Sequence, residues 1–495
     1  MEKIKDFRIN LNSDSLENVK KIKDKVENFV SENDIKNLSF SLSSLLDIPV
    51  EVINKKIKQI VYNHFDYYDK DPKFKINFSF FSSIKYFFLF TVLILFKKKL
   101  KLQDSKKKKI DIILDNVEKN YVLEKFNKTL SYFDSCLILH NKSLSRKKIH
   151  KNTLFFLTHS FFFSNSILKG KTILFLKFIT KLFYLSKKKE LNLIKIFFII
   201  FYSSLKYNKI FSLYESNFLI HDRIYHSCPI RNYIFKKNGG SKVFCLQSHL
   251  AEGTISVFND IDVLVTFGEE NDTKKKLELL GAKINDSIVC GSIRMERALS
   301  NLQKLDEINE IDILLIGINI ANWVGTSKNI IDIYYKHLEW ITKISKKYPK
   351  LKITIKHHPN YRGDYKEDNI IKKTNIETII NPSNNLNSYH FLLKSKLILS
   401  FGSTMILEGS SLRSNCFFLD PDGKNTTFFD KLDYLQKIRI TNFDNLDSLV
   451  QKHLINNNKI LDLDNNKFCL PHQNASQNLF KNISRIGFHE NKNIK

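Results

Sequence analysis

A run of small and hydroxyl-bearing residues, SFGST at positions 400–404, follows a short apolar stretch and precedes a segment of helical composition. Gly402 permits a tight turn, and Ser403 and Thr404 lie where a helix is expected to begin. The first backbone N–H groups of a helix lack partners within it, so with two hydroxyls they can bind a phosphate. Glu408, one turn later, can accept hydrogen bonds from ribose hydroxyls. The alternative is an ordinary helix cap followed by a solvent-exposed carboxylate.

Two adjacent histidines, His357 and His358, precede Pro359 at the end of another apolar run. Proline favours an extended backbone at the residue before it, which places His358 at the strand end. An imidazole there can donate to phosphate oxygens or protonate a leaving group. Arg362 adds a guanidinium that can bind phosphate through two parallel hydrogen bonds. The alternative is a histidine bonded to loop backbone; a metal site is disfavoured because adjacent strand residues point to opposite faces.

Three further polar clusters also follow apolar runs. Residues 247–249 (QSH) precede Glu252, and both His249 and Glu252 are candidates for the base that activates an acceptor. Residues 291–296 (GSIRME) have the composition of a hinge. Residues 420–422 (DPD) have the spacing of a metal-binding D-x-D motif, but the central proline indicates a turn, and we expect no metal site.

The runs that precede these clusters read as β-strands and alternate with helical lengths. The first series comprises Ile110–Leu114, Cys136–His140, Asn217–His221, Lys242–Leu246, Val263–Phe267 and Ser287–Cys290. The second comprises Ile311–Ile316, Leu351–Lys356, Leu397–Ser400 and Cys416–Leu419, with an amphipathic helix over Ile330–Tyr348. This alternation is typical of an α/β fold with mostly parallel sheets. Ligands bind such sheets at the carboxyl ends of the strands, where the polar clusters are found.

The chain has 495 residues, which is more than one hydrophobic core usually organises. We predict an N-terminal helical extension over residues 1–80, a Rossmann-like acceptor domain over 81–305 and a Rossmann-like donor domain over 306–495. The extension carries apolar residues at helical spacing, namely Leu16, Val19, Ile22, Val26 and Val30.

Composition excludes several classes of protein. A hydrophobic content of 43% excludes a disordered chain, and six cysteines without a C-x-x-C pair disfavour a disulfide scaffold or an iron–sulfur site. Cysteine usage is typical of a reducing, cytosolic compartment. The net charge is +28, but the densest lysine runs adjoin apolar segments rather than forming a separate basic arm. We therefore interpret the charge as compositional bias or attraction to a membrane surface, and expect no nucleic-acid partner.

Three apolar stretches raise the question of a membrane: Tyr86–Phe96, Ile173–Leu185 and Ile194–Ser203. None reaches the roughly 20 apolar residues that a spanning helix needs before it meets a lysine. The polar segment Met1–Asn10 predicts no signal peptide. The two interpretations that remain are buried core elements and interfacial helices with lysines at the level of the lipid headgroups. Tyr86–Phe96 is the better membrane candidate because lysines flank it on both sides.

In chain order, the motifs resemble those of a known enzyme family. The series runs strand-Gln-x-His at Gln247, V-x-G-S-x-R ending at Arg294, strand-His-Pro at His358 and G-S-T-x-x-x-E over residues 402–408. It is similar to the GT-B glycosyltransferases of bacterial surface-polysaccharide assembly, in particular the polysialyltransferase-like and CDP-glycerol glycerophosphotransferase-like branch. The resemblance covers about residues 215–425. Residues 247–250 read Gln-Ser-His-Leu where the family usually has Gln-His-Gly, and Ile293 replaces the more usual proline before Arg294.

The resemblance implies a GT-B-like fold, with two doubly wound Rossmann-like domains facing a cleft, and a glycosyltransferase activity. His358, Ser403 and Thr404 would contact the phosphates of a nucleotide-sugar donor, and Glu408 its ribose. The acceptor would be a capsule- or lipopolysaccharide-type glycan, free or lipid-linked. The nucleotide-sugar would be a substrate, with no cofactor and no metal. The protein would be cytoplasmic, with the inner face of the cytoplasmic membrane as a further candidate location.

Three alternatives to sugar transfer stay open at this point. A polyol-phosphate transferase needs the same phosphate-binding groups. A nucleotide-sugar 2-epimerase shares the two-domain fold but needs carboxylate bases in the first half, where no convincing constellation is visible. A non-catalytic module that binds nucleotide or glycan would account for the altered motif at residues 247–250.

Overall fold

Two parallel β-sheets form the framework of the protein. The structure is a computed structural model that describes residues 13–64, 77–95, 107–117, 120–140, 153–157, 170–224, 227–247, 257–269, 273–279, 281–300, 310–317, 328–358, 361, 363–380, 387–412, 415–421, 436–458 and 467–492. We call the part built around the first sheet the first domain and the part built around the second sheet the second domain.

The first domain is built on a seven-stranded sheet. Its strands, with a short pair beside them, are β1 (Lys108–Lys109), β2 (Ile112–Val117), β3 (Cys136–His140), β4 (Thr153–Leu157), β5 (Tyr214–Glu215), β6 (Phe218–His221), β7 (Lys242–Leu246), β8 (Asp260–Thr266) and β9 (Lys283–Val289). β1 pairs with β5, and the others lie in the order β4-β3-β2-β6-β7-β8-β9. Every pair in this sheet is parallel.

The second domain is built on a six-stranded parallel sheet. Its strands are β10 (Ile311–Ile316), β11 (Ile353–Lys356), β12 (Glu377–Ile379), β13 (Ser395–Ser400), β14 (Cys416–Leu419) and β15 (Arg439–Ile440). They lie in the order β12-β11-β10-β13-β14-β15. Numbered from the first strand of each sheet, both contain the order 3-2-1-4-5-6 of doubly wound nucleotide-binding folds. The predicted fold class, α/β with two Rossmann-like domains, is confirmed.

Helices cover both sheets. Those of the first half are α1 (Ser13–Ser31), α2 (Asn33–Leu46), α3 (Val50–Tyr62), α4 (Phe80–Leu95), α5 (Asn120–Leu130), α6 (Thr172–Lys188), α7 (Leu193–Leu213), α8 (Pro229–Lys237), α9 (Thr273–Leu279) and α10 (Ile293–Ala298). Those that follow are α11 (Lys328–Lys347), α12 (Tyr365–Ile371), α13 (Ser388–Leu393), α14 (Met405–Ser410), α15 (Phe443–Val450) and α16 (Ala475–Lys492). A π-helical turn (Gln451–Ile455) continues α15, and a 3₁₀ turn (His472–Asn474) precedes α16.

The N-terminal helices are a layer of the first domain. Ile22 of α1, Leu38 of α2 and Ile53 of α3 are fully buried, and they belong to the same hydrophobic cluster as Leu219 of β6 and Val243 of β7. The apolar residues recur at helical spacing, so each helix buries one side against this cluster and exposes the other. The extension therefore contributes to the core that supports the first sheet.

The final helix, α16, packs on the first domain although it follows the second in the chain. Leu479 and Ile483 are buried in one cluster with Phe126 of α5. The Phe480 ring stacks on Tyr132 with 5.2 Å between ring centroids. The connecting helix α10 also contacts both domains. The chain therefore passes from the first domain to the second after α10 and returns before α16.

Candidate functional site

The two main polar clusters of the second domain lie on either side of one strand. Ile316, the last residue of β10, is in register with Lys356 of β11 and with Ser400 of β13. The residues that follow, His357-His358 and Phe401-Gly402, therefore leave the sheet at the same level. Strand order reverses between β10 and β13, which is the topological switch point where open α/β sheets bind ligands. The structure thus places the predicted His358 and 402–404 clusters together at one crevice.

The turn at residues 400–404 is held by its own hydroxyls. The Ser400 hydroxyl oxygen accepts hydrogen bonds from the backbone N–H groups of Gly402 at 3.4 Å and Ser403 at 3.2 Å. The Ser403 hydroxyl oxygen accepts one from the N–H of Met405 at 3.2 Å. These three amides are therefore bonded within the turn, which corrects the expectation of free N–H groups at this helix start. A phosphate here would contact the half-buried Ser403 and Thr404 side chains.

Two glycines at the crevice have different structural roles. A Cβ atom on Gly317, which follows β10, would lie 3.0 Å from Nδ1 of His357, so close packing against the imidazole favours glycine there. Among the described residues other than its two chain neighbours, no atom lies within 4 Å of the position that a Cβ on Gly402 would occupy. The described part of the crevice therefore leaves room above Gly402 for a ligand to approach the backbone.

His357 is a buried structural histidine, whereas His358 is half-buried beside the crevice. The His357 ring stacks on Tyr361 with 3.9 Å between centroids, and its Nε2 lies 3.2 Å from a carboxylate oxygen of Glu367. The Tyr334 hydroxyl donates a hydrogen bond to the other Glu367 oxygen at 3.4 Å. These contacts fix the chain at His357 and thereby the backbone from which His358 projects.

Burial shifts the pKa values of this pair in opposite directions. It raises the pKa of Glu367 to about 7 and, together with the neighbouring Lys356, lowers the pKa of His357 to about 4. Both shifts favour the neutral form, because a charge without full hydrogen bonding is costly in the interior. Near neutral pH, Glu367 is therefore close to its own midpoint.

Glu367→Gln is expected to remove a pH-dependent loss of stability. The folded-state pKa of Glu367 lies above its unfolded value, so its stabilising contribution is complete below about pH 4.3 and disappears as pH rises through 7. Relative to the glutamine variant, the wild type should lose on the order of 2 kcal/mol of unfolding free energy between pH 5 and 8. Urea denaturation across this range measures the difference. Glu339→Gln, an exposed carboxylate on α11, is the control, and parallel wild-type and Glu367→Gln profiles would contradict the expectation.

Glu408 is fully buried and joins the second domain to the connecting helix. One of its oxygens accepts a hydrogen bond from the Ser292 hydroxyl at 2.5 Å. The other accepts from Arg294 Nη2 at 2.7 Å and from the Tyr389 hydroxyl at 2.9 Å. Both oxygens are thus bonded to protein donors. The contact of Glu408 with a ribose stays a prediction. No pattern in the sequence predicted that Ser292 and Arg294 would bind this carboxylate.

A cavity of about 410 Å³ lies at the carboxyl edge of the first sheet. Gln247, Val265 and Gly291 line it from the ends of strands, and Asn387 lines it from the second domain. Its charged wall comprises Lys125, Asp222, Arg223, Arg294 and Arg297. Cationic side chains outnumber carboxylates there, so the cavity suits a polar or anionic group better than an apolar one.

Asp222 is the carboxylate of this cavity that sequence reasoning missed. It is ion-paired with Lys125 and with Arg223, whose Nε lies 3.3 Å from its oxygen. The signal was present, because Asp222-Arg223 directly follows the predicted strand Asn217–His221. The rule that identified the other strand-end clusters would have found this one too.

Beneath the cavity, Asp115 of β2 is the centre of a buried ionic network. A single oxygen, Oδ2, lies 2.9 Å from Arg231 Nη1, 3.1 Å from His221 Nε2 and 3.2 Å from the Tyr207 hydroxyl. Asp115 and Arg231 are fully buried, and Arg231 also donates to Asn232. The network ties β2 and β6 to the helices α7 and α8, and so supports the strand ends that form the cavity.

The remaining predicted residues are only partly described. Gln247 donates to the Thr273 hydroxyl at 2.6 Å and accepts from the N–H of Phe267 at 3.0 Å, so it holds two strand ends together. Asp420 is ion-paired with Arg439. His249, Glu252, Arg362 and Asp422 lie outside the described residues. Within the described ranges, no group of three or more histidine, cysteine or acidic side chains is placed to bind a metal ion.

Comparison with known proteins shows weak structural likeness only. No protein-family model and no curated protein sequence matches the chain. A UDP-GlcNAc 2-epimerase from Neisseria meningitidis bound to UDP-GlcNAc is 13% identical, with a TM-score of 0.40 over 76% of this chain and 100% of that one. Another UDP-N-acetylglucosamine 2-epimerase is 11% identical (TM-score 0.41; 78% and 97%). A wall teichoic acid polymerase is 9% identical (0.38; 82% and 98%). The function proposed below therefore rests on the site itself.

Proposed function

We propose that the protein is a glycosyltransferase that moves a sugar from a nucleotide-sugar donor to a surface glycan acceptor. One observation carries the proposal: His358 and the Ser403–Thr404 pair flank β10 at the switch point of a Rossmann-ordered sheet, beside an open space above Gly402. Switch-point crevices bind nucleotides, and hydroxyl and imidazole donors suit a diphosphate. The second domain is accordingly the donor domain.

The proposed reaction transfers the sugar, through its anomeric carbon, from a phosphate oxygen of the donor to a hydroxyl oxygen of the acceptor. The bond to phosphate breaks, the bond to the acceptor oxygen forms, and the acceptor proton passes to a base. His358, Ser403 and Thr404 would stabilise the charge that develops on the leaving phosphate, which is the main task of such a site. Arg362 would add a second phosphate contact, and His249 and Glu252 are the proposed bases.

The acceptor would enter the cavity of the first domain. Asn387 reaches this cavity from the second domain, and Arg294 links it to Glu408. Asp222, held by Lys125 and Arg223, presents a carboxylate that can orient acceptor hydroxyls. The cavity volume of about 410 Å³ is of the size that small ligands occupy.

Nucleotide binding at Gly402 is the first test. A nucleotide present at about 100 times its dissociation constant should stabilise the wild type by about 2.7 kcal/mol. This stabilisation is measured as a rise in Tm, with CMP, CDP, UDP, GDP and dTDP each added in turn. Gly402→Leu and Ser403→Ala should lose this rise. Apart from the adjoining residues, no described atom lies within 4 Å of the Cβ that the leucine would add, so the Tm without nucleotide should change little.

Ser411→Ala provides the matched control, because Ser411 lies at the other end of α14, where its hydroxyl bonds to its own helix backbone and to the Met295 sulfur. It should respond to nucleotide as the wild type does. A Tm that no nucleotide raises in the wild type would contradict the donor site. A normal response without turnover on any glycan would favour a binding module instead. Incorporation of deuterium at sugar C2 in heavy water would favour an epimerase.

A further inference from the structure

The three apolar stretches of the first half differ in how much of their surface reaches solvent. The third lies within α7, whose apolar residues Phe197, Ile200 and Phe201 are fully buried. The described parts of the first two belong to α4 and α6, and each of these helices buries one side and exposes several large apolar side chains on the other. Only the third stretch is thus simply a core helix.

Helices α4 and α6 pack next to each other on α7. Phe201 of α7 contacts Phe90 of α4 at 5.1 Å and Phe175 of α6 at 5.5 Å between ring centroids. Phe90 and Phe175 also contact each other at 5.9 Å. We call their outward residues the aromatic face: Phe80, Phe81, Ile84, Phe87, Phe88, Ile173, Leu174, Leu176 and Tyr184.

The aromatic face concentrates the exposed apolar surface of the described residues. Nine of the fourteen large hydrophobic side chains that are exposed there belong to it. Phe81 is 85% exposed, Ile173 71% and Phe88 64%. Single exposed hydrophobic residues are ordinary, but a concentration of them on two adjacent helices indicates a surface that is covered when the protein works.

The charge on the same helices is exclusively positive. α4 and α6 contain no aspartate or glutamate. Exposed lysines accompany the apolar residues, with Lys85 on α4 and Lys177, Lys181, Lys187 and Lys188 on α6. A partner that covers this face must therefore be apolar where it meets the aromatic and aliphatic side chains, and anionic where it meets the lysines.

We propose that the aromatic face binds the surface of an anionic phospholipid bilayer. Aromatic and aliphatic side chains would enter the region between headgroups and acyl chains, and the lysines would reach the anionic headgroups. Both helices would lie in the plane of the membrane. Among the described residues, no helix has the length and apolar character needed to cross a bilayer. The proposal depends on these two helices and is independent of the transferase function.

Co-sedimentation of the full chain with vesicles tests the proposal. We expect binding to vesicles of phosphatidylcholine with 30 mol% phosphatidylglycerol, and much less to phosphatidylcholine alone, at ~100 mM salt. Phe81→Ser/Phe88→Ser/Leu174→Ser should weaken binding at least about tenfold, since each lost side chain contributes buried apolar area. Lys177→Gln/Lys181→Gln should reduce the preference for anionic vesicles and its sensitivity to salt.

Matched control variants distinguish binding through this face from non-specific binding of vesicles by other exposed apolar or basic side chains. Phe40→Ser and Tyr365→Ser remove apolar side chains that are 58% and 83% exposed on other surfaces, and Lys350→Gln/Lys352→Gln removes exposed lysines of the second domain. All three should bind vesicles like the wild type. In the Phe81→Trp variant, brominated lipids should quench the fluorescence of the introduced side chain.

Three results would overturn the proposal. The first is no binding to anionic vesicles, and the second is an equal loss of binding in the control variants. The third is self-association in sedimentation equilibrium that Phe81→Ser/Phe88→Ser abolishes, which would assign the aromatic face to a second copy of the chain. Nucleotide-induced shifts in Tm report on the donor site alone, so failure of one proposal is distinguishable from failure of the other.

Discussion

Asp115→Ala is expected to lower the free energy of unfolding by roughly 3–5 kcal/mol. The substitution leaves the guanidinium of Arg231, which is fully buried, without its carboxylate partner. It also removes the acceptor for His221 and Tyr207. A buried unpaired charge costs far more than a lost surface contact, because water cannot replace the missing partner. Chemical denaturation of the wild type and the variant measures the loss.

A double variant separates the buried charge from the lost volume. Asp115→Ala/Arg231→Met removes the uncompensated guanidinium and should be more stable than Asp115→Ala alone. Glu27→Ala breaks a partly exposed ion pair with Lys58 in the same domain, at 2.5 Å in the structure, and should cost about 1 kcal/mol or less. If the double variant were as unstable as the single one, packing rather than charge would be the cause.

His358→Ala is expected to lower kcat of sugar transfer about 10²- to 10⁴-fold while the protein stays folded. The residue is half-buried at the switch point, and its neighbour His357 makes the ring stack with Tyr361 and the contact with Glu367. Release of nucleotide that requires both donor and glycan acceptor measures the rate. The effect should fall on kcat more than on donor affinity, because charge on the leaving phosphate develops only in the transition state.

Two further variants define what His358 contributes. His358→Asn keeps a hydrogen-bond donor and should recover part of the rate if the imidazole only donates to phosphate, but none if it transfers a proton. His453→Ala removes a half-buried histidine of the same domain, bonded to the Asn458 carbonyl, and should leave the rate unchanged. Full activity of His358→Ala would exclude this side chain from the chemistry.

The central strands could be predicted from the sequence more fully than the edge strands. The edge strand β9 was predicted only in part, as Ser287–Cys290. Cys136–His140, Lys242–Leu246, Ile311–Ile316 and Cys416–Leu419 were predicted with the bounds that the structure shows. Each is buried on both faces by its neighbours and so reads as a continuous apolar run. β4, β12 and β15 were missed. All three are outermost strands of their sheets, where one side of the strand has no paired neighbour and the sequence requirement is weaker.

The location of the candidate site could likewise be predicted, but its internal contacts could not. Strand-end placement brought His358 and Ser403 to one crevice, because parallel strands share a carboxyl edge. The pairing of Glu408 with Arg294 joins residues 114 positions apart and depends on how the connecting helix packs, which no local pattern reports. Asp222 differs from Glu408 in this respect, because its position directly after a predicted strand is visible in the sequence.

Because α16 packs on the first domain, it constrains the order in which the protein can fold during synthesis. Domains usually fold in sequence as the ribosome makes them. Here the cluster that holds Ile112, Phe126 and Cys290 also needs Leu479 and Ile483. The N-terminal half cannot complete its core until the second domain has been synthesised. Folding of the first domain therefore finishes only after translation has passed residue 483. A fragment that stops after the first domain would leave that core open to solvent.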